Sequence, residues 1–191
     1  MTTEIGRPRN PLIDDAVLRA TVELLGATGY AELTVGAIAV RAGTSKPAIY
    51  RRWPSKAALV HEAAFPLDAN TELPHTGTLF GDIREMVRRT LAVFSTPAAR
   101  AALPGLVGEM AADPALHTTL LERFGDILVR GLGEYLDAAV ARGEMRAEVT
   151  ATDLAESIAG ITFVALLARG AVPDDAWIER TATLIVRGIS T

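Results

Sequence analysis

The sequence has no cysteine, and only two of its 191 residues are lysine. Without cysteine, a disulfide framework, a thiolate nucleophile and every cysteine-ligated metal site are excluded. The longest stretch without a charged residue, 157–168, has 12 residues, which is too short to cross a bilayer. The N-terminus lacks the apolar segment of a signal peptide. We therefore expect a soluble, cytoplasmic protein with no membrane segment.

Catalytic motifs are lacking as well. His61-Glu62 is not followed by a second histidine at the zinc-protease spacing, and Gly131-Leu132-Gly133 has no third glycine and no preceding strand. No phosphate-binding GK[ST] loop occurs. The sequence thus predicts no enzyme, no cofactor and no metal site, although a helical-bundle enzyme with unusual residues stays open as an alternative.

The charges are distributed unevenly along the chain. Residues 1–65 carry 8 basic and 6 acidic side chains, while residues 66–191 carry 11 and 17, which together give the net charge of −4. Both lysines and three arginines lie within 41–56, a stretch without any acid. This pattern predicts a basic head (residues 1–65), of the kind that binds nucleic acid, on an acidic body (residues 66–191).

Capping residues and helical periodicity predict an all-α fold with several helices in the head. Asn10 is a plausible cap for a first helix, which Gly26 and Gly29 are expected to end. Thr34, Ser45 and Ser55 are placed to cap three short helices. These helices are predicted at 35–42, 46–53 and 56 to about 65. A helix, a tight turn at a glycine and a second short helix with basic side chains are typical of a helix-turn-helix.

Five helices are predicted for the body, at about 77–95, 97–112, 114–142, 151–169 and 174–189, with Pro104 kinking or splitting the second. The last two helices have more than one apolar face. We expect one face to pack on the body and the other on a second copy of the chain. The predicted interface residues are Ile158, Ile161, Val164, Leu167, Trp177, Ile178, Leu184, Ile185 and Ile189.

The head resembles a known family. The residues that carry the likeness are Thr34, Ile38-Ala39, the run from Ala42 to Lys56 (AGTSKPAIYRRWPSK) and Leu59. They are similar to the DNA-binding head of the TetR/AcrR repressors, over about 10–65. For the rest of the chain the likeness rests on length and helical content. The resemblance implies a two-fold homodimer, a palindromic operator of double-stranded DNA and an effector pocket in the body.

The resemblance also implies which residues contact DNA. Positions matching Lys46, Pro47, Ala48, Tyr50 and Arg51 lie in the major groove in this family, and Lys46 and Arg51 suit the guanine edge. Hydroxyl groups and Lys56 suit phosphate, and the basic N-terminal residues suit an adjacent minor groove. The predicted DNA-binding residues are Arg7, Arg9, Thr34, Thr44, Ser45, Lys46, Pro47, Ala48, Tyr50, Arg51, Arg52 and Lys56.

A pocket in the body is an expectation of the family, because helical bundles build ligand sites from inward-facing side chains. Its predicted lining suits a small, largely apolar effector, with Glu109 or Arg123 as a polar anchor, and ordinary core packing stays open for the apolar members. The candidates are Met86, Phe94, Glu109, Met110, His117, Arg123, Phe124 and Tyr135.

The sequence is therefore expected to encode a dimeric, ligand-responsive transcriptional repressor associated with the nucleoid. An activator, or an effector-independent architectural DNA-binding protein, is the alternative.

Overall fold

The structure, a computed structural model, describes residues 11–66 and 74–191, except for the side chains of 11, 117 and 119–131. All regular secondary structure in the described part is α-helical, which confirms the predicted all-α fold. The helices are α1 Pro11–Glu32, α2 Val35–Arg41, α3 Lys46–Tyr50, α4 Lys56–Ala64, α5 Leu79–Phe94, α6 Pro97–Ala112, α7 Pro114–Ala141, α8 Ala151–Arg169 and α9 Asp175–Ile189.

The short helices of the head begin at the predicted caps. The hydroxyls of Thr34, Ser45 and Ser55 accept hydrogen bonds from backbone N–H groups three residues later, at 3.1, 3.4 and 3.0 Å. Each such cap typically contributes about 1 kcal/mol. This matters most for helices as short as these, which have few internal hydrogen bonds of their own.

The structure tests two predicted helix breaks. Gly26 lies inside α1, whereas Gly29 is non-helical (φ 74°, ψ 174°) and marks a kink between two helical segments, so the predicted end is confirmed at Gly29 and wrong at Gly26. Pro104 does not split α6, which runs from 97 to 112. Proline has no N–H, so the carbonyl one turn before Pro104 lacks its usual helical hydrogen bond. Because Pro104 is exposed, water can donate to that carbonyl instead.

The buried apolar side chains form two clusters, and the first of them includes residues on both sides of position 65. The head cluster joins α1–α4 to α6 through Ala98, Ala99, Ala102 and Leu106. The body cluster joins α5, α7, α8 and α9. Helices α5 and α6 meet at 86°, and this bend lets α6 leave the body cluster and pack on the head.

Aromatic side chains close the junction between the two clusters. Phe94, at the end of α5, packs against both. Its ring meets that of Phe65 edge to face, with centroids 5.9 Å apart and an interplanar angle of 76°. Tyr30 lies so close to Gly105 of α6 that a Cβ there would sit 2.1 Å from the tyrosine Cδ1. The head is thus packed directly on α6 at a position where only glycine fits.

Helix α8 is long and apolar enough to cross a membrane, and so is the bent α5–α6 pair if it is counted as one span. Leu154, Ile158 and Leu166 of α8 are nevertheless buried in the body cluster. These three side chains pack against other helices of the body.

Burial divides the predicted interface residues into two groups. Ile158, Trp177, Ile178 and Ile185 are core residues of the single chain, because α8 and α9 turn these side chains toward the body cluster. Ile161 and Ile189 are partly buried against the same cluster. The outward-facing members are Val164, Leu167 and Leu184, which are 59%, 58% and 66% exposed.

Candidate nucleic-acid interface

The turn between α2 and α3 sets the direction of the second helix. Gly43 has a φ of 66°, a left-handed conformation that favours glycine. The N–H of Thr44 then donates to the carbonyl of Ala39 at 2.9 Å. Ile49 and Trp53 are buried in the head cluster. These contacts fix one side of α3 and leave the opposite side to solvent.

The outward side of α3 carries most of the predicted DNA-binding residues. Lys46, Pro47 and Arg51 are exposed, and Tyr50 is 49% exposed. Thr44 and Ala48 are half-buried at the edge of this surface, and Ser45 and Thr34 are exposed. We call Lys46, Pro47, Tyr50 and Arg51 the α3 face. It combines two cations, an aromatic hydroxyl and an apolar ring, which suits contact with phosphates and base edges.

Lys46 lies across α2. A Cβ on Gly36 would fall 2.6 Å from the Cε of Lys46, so a larger residue there would require this exposed, flexible side chain to move. The charged end of Lys46 lies beside the start of α2, near Gly36. Its four-carbon chain gives it the reach to turn outward toward a phosphate or a base.

Arg52 is not part of the α3 face. Its guanidinium forms an ion pair with the carboxylate of Asp14 in the first turn of α1, and both side chains are largely buried. Its Nη1 also donates to the carbonyl of Ala48 at 3.4 Å. In the free chain the charge of Arg52 is paired within the head, so the predicted contact of Arg52 with DNA stays a prediction.

Lys56 is likewise engaged inside the protein. Its Nζ donates to the backbone carbonyl of Tyr30 at 3.1 Å and lies 4.0 Å from the centroid of that ring. It is also 4.0 Å from Oε1 of Glu109. Burial, followed by the nearby Glu109 carboxylate, raises the pKa of Tyr30. Lys56 thus connects α4, α1 and α6, instead of lying free for a phosphate as predicted.

Two further polar contacts brace the helix-turn-helix. Arg41 of α2 pairs with Glu23 of α1 through Nη2 and Nε at 2.6 and 2.9 Å. The indole Nε1 of Trp53 donates to Oε2 of Glu62 on α4 at 2.7 Å. Together with Asp14–Arg52, these contacts tie α2 and the chain after α3 to the longer helices.

The predicted effector residues do not gather in one place. Met86 and Tyr135 are buried in the body cluster, whereas Phe94, Glu109 and Met110 lie at the junction with the head. His117, Arg123 and Phe124 lie outside the residues whose side chains are described, and Arg7 and Arg9 lie outside the described residues altogether.

A buried hydrogen-bonded group lies at the start of α5. The hydroxyl of Tyr135 donates to Oδ2 of Asp82 at 3.0 Å, and the N–H of Thr76 donates to Oδ1 at 2.6 Å. Burial, followed by the Asp82 carboxylate, raises the pKa of Tyr135. This group fastens the chain that enters the body, and both oxygens of the carboxylate are occupied.

Two open cavities are described, and no predicted pocket residue lines either of them. One, of about 300 Å³, lies where the start of α8 meets the end of α9, and Arg146, Asp153 and Ile189 are among its lining residues. The other, of about 280 Å³, is a groove of the head between Leu18 and Ala63. Within the described residues, no group of three or more potential metal ligands occurs.

Sequence reasoning missed Asp14, Tyr30 and Gly105. The Asp14–Arg52 pair spans 38 positions, and no periodicity connects them. An acidic residue in the first turn of a helix is favourable in its own right, so the presence of Asp14 there does not indicate a distant partner. A glycine inside a helix often marks a close contact, so Gly105 was the one available signal.

Comparison with known proteins covers both parts of the chain. Residues 17–63 match the family model of bacterial regulatory proteins of the tetR family. Residues 73–185 match the model of a tetracyclin repressor-like C-terminal domain.

Whole-chain similarities agree. An uncharacterized HTH-type transcriptional regulator of Mycobacterium tuberculosis is 32% identical over 174 residues, which cover 89% of this chain and 82% of that protein. The DNA-binding transcriptional repressor TetR of Mycobacteroides abscessus is 30% identical, covering 86% and 87%. The crystal structure of the TetR family transcription regulator SCO0332 superposes with a TM-score of 0.71 at 29% identity, covering 94% and 99%.

Proposed function

Because the chain belongs to the TetR family of bacterial regulatory proteins and is a DNA-binding transcriptional regulator, not an enzyme, we propose that it is a ligand-responsive repressor. In this proposal it binds a palindromic operator as a homodimer. The observation that carries the proposal is the exposed α3 face, mounted on a head whose core continues into α6.

The α3 face supplies the DNA contacts. Arg51 donates to a guanine edge, Lys46 turns outward to a base or a phosphate, and Tyr50 positions the backbone. Ala48 offers a methyl contact at the rim of the surface. Because α3 has only five residues, one head contacts few base pairs. Two heads on half-sites about 34–36 Å apart supply the remaining specificity.

The second copy packs on the exposed part of the last two helices. Val164 and Leu167 of α8 and Leu184 of α9 are large, apolar and exposed. Burying such side chains contributes about 1.5–3 kcal/mol each. An interface at this surface would relate the two heads by a two-fold axis, which is also the symmetry of a palindromic operator.

The proposed response to an effector runs through α6. This helix packs in the head cluster and adjoins α5 and α7, so a shift of α6 would alter the angle of the head. An effector that binds one arrangement more tightly than the other would change the spacing of the two heads. Met86 and Tyr135 remain candidates for contact with a small, largely apolar molecule.

An effector-independent regulator is the second candidate, favoured by one observation. Neither described cavity is lined by a predicted pocket residue, and both are open at the surface. In that case the contacts at α6 would contribute only to stability. The occupancy of the operator would then depend on the concentration of the protein and not on an effector. In either case the protein works in the cytoplasm, where we place it on the nucleoid.

The test begins by selecting from random duplexes the DNA that the purified wild-type protein enriches. Footprinting of that duplex should show two symmetric protected half-sites, and sedimentation should show two chains per site. Arg51→Gln should weaken binding to this duplex at least tenfold relative to a scrambled duplex. Enrichment of no common sequence, or one unsymmetrical footprint by a single chain, would contradict the proposal.

A further inference from the structure

We propose that Asp14 is a positioning residue for DNA recognition: by pairing with Arg52 it fixes the orientation of α3 and withholds the arginine's charge from the DNA. This inference rests on the proposed role of the α3 face. In this proposal two adjacent arginines have different roles. Arg51 is exposed and contacts DNA, while Arg52 is paired with Asp14 inside the head.

Helix α3 is too short to determine its own orientation in the head, so contacts with other helices must fix it. It has five residues, little more than one turn, and its own hydrogen bonds cannot determine its direction. The chain just after it is held by Ile49 and Trp53 in the core and by the bond from Trp53 to Glu62. The polar contact among them is made to α4, so none of these three contacts is a polar restraint toward α1.

The ion pair supplies the missing restraint. Asp14 Oδ1 and Arg52 Nε are both buried, and neither has another hydrogen-bond partner among the described residues. Arg52 Nη1 also reaches the carbonyl of Ala48, within α3 itself. One guanidinium therefore joins the first turn of α1 to the middle of α3.

The same ion pair determines how many unpaired cations the head presents to DNA. With Asp14 present, Arg52 is neutralised before DNA arrives, so the free cations of the α3 face are Lys46 and Arg51. Without it, Arg52 becomes an extra mobile cation beside the DNA. An extra phosphate contact strengthens binding to any sequence, whereas a loosened α3 loses the alignment that distinguishes one sequence from another.

The decisive variant is Asp14→Asn, which preserves size and removes the charge. Its affinity for a scrambled duplex should rise, and the slope of log affinity against log salt should steepen by about one. The ratio of selected-duplex to scrambled-duplex affinity should fall about tenfold. A residue that served stability alone would change the melting temperature and leave both the slope and the ratio unaltered.

Asp15→Asn is the matched control, because Asp15 is exposed on the same turn and its removal changes the net charge of the head equally. It should leave the ratio near the wild-type value. The double variant Asp14→Asn with Arg52→Gln removes both charges. It should return the salt slope to the wild-type value while the ratio stays low.

The inference fails if Asp14→Asn behaves like Asp15→Asn in ratio and slope. It also fails if the double variant keeps the steeper slope, since the extra cation would then not be Arg52. Arg51→Gln separates this failure from that of the proposed function. If Arg51→Gln binds the selected duplex like wild type, the role of the α3 face is wrong. If it loses binding while Asp14→Asn does not, only the positioning role is wrong.

Discussion

The head and the body are held together in different ways. In the head, polar contacts join different helices: Asp14–Arg52, Glu23–Arg41, Trp53–Glu62 and Lys56–Glu109. In the body, most of the described ion pairs join neighbours in sequence: Glu85 with Arg88 and Arg89, Arg142 with Glu144, and Arg146 with Glu148, with Arg84–Glu179 as an exception.

The length of the helices explains the difference. Helices α2, α3 and α4 have 7, 5 and 9 residues and bury short apolar faces, so directional polar contacts are needed to fix their angles. Helices α5, α8 and α9 have 16, 19 and 15 residues, and interdigitated apolar side chains determine how they pack. The head should therefore be sensitive to single polar changes, and the body to changes of its apolar core.

The largest expected effect concerns neighbouring residues of α9. Ile185 is buried in the body cluster, so Ile185→Asp should destabilise the fold by about 3–5 kcal/mol, the range for an unpaired buried charge. Leu184→Asp places the same charge on an exposed position. It should leave the free energy of unfolding nearly unchanged and shift the sedimentation toward monomers. A stable, folded Ile185→Asp would break the proposed division of α9 into a core side and an outer side.

The junction between head and body should show the next largest effect. Gly105→Ala forces a Cβ against the ring of Tyr30 and should destabilise the protein by about 1–3 kcal/mol through overpacking. Gly108→Ala, on the same helix, meets open space and should be neutral or stabilise by up to about 1 kcal/mol. Thermal unfolding of the two variants measures the difference. Equal shifts would mean that α6 is not packed on Tyr30.

The two lysines sharpen the comparison within the head. Lys56→Met removes the contacts with Tyr30 and Glu109 and should cost about 1 kcal/mol of stability. The salt dependence of its DNA binding should stay unchanged. Lys46→Met should keep the stability and flatten the salt slope by about one. A reversal of these results would place Lys56, as the sequence first suggested, at the phosphates.

The smallest expected effect concerns an ion pair at the surface of the body. The guanidinium of Arg88, with that of Arg89, lowers the pKa of Glu85 to about 2 from its ordinary value of 4.5. Because the folded pKa lies below the ordinary one, the contribution is full above about pH 4.5 and is lost as the pH falls toward 2. Glu85→Gln should remove less than about 1 kcal/mol at pH 7, since both arginines are exposed.

Features encoded by neighbouring residues could be predicted from the sequence. The caps at Thr34, Ser45 and Ser55 depend on residues a few positions apart, and the structure confirms them. Pairings over long separations could not be predicted. Whether Arg52 faces DNA or Asp14 depends on how α1 packs, and whether Ile185 faces a partner or the core depends on α5, with which α9 packs.

The central claim is that DNA covers the α3 face and leaves the interior contacts of the head in place. Because the chain has only two lysines, amine labelling resolved by mass spectrometry reports on both sides of this claim at once. In the free protein, exposed Lys46 should react quickly and half-buried Lys56 slowly. The selected duplex should protect Lys46 strongly and leave the labelling of Lys56 unchanged. If bound DNA protects Lys56 while Lys46 stays reactive, the α3 face is not the surface that binds DNA.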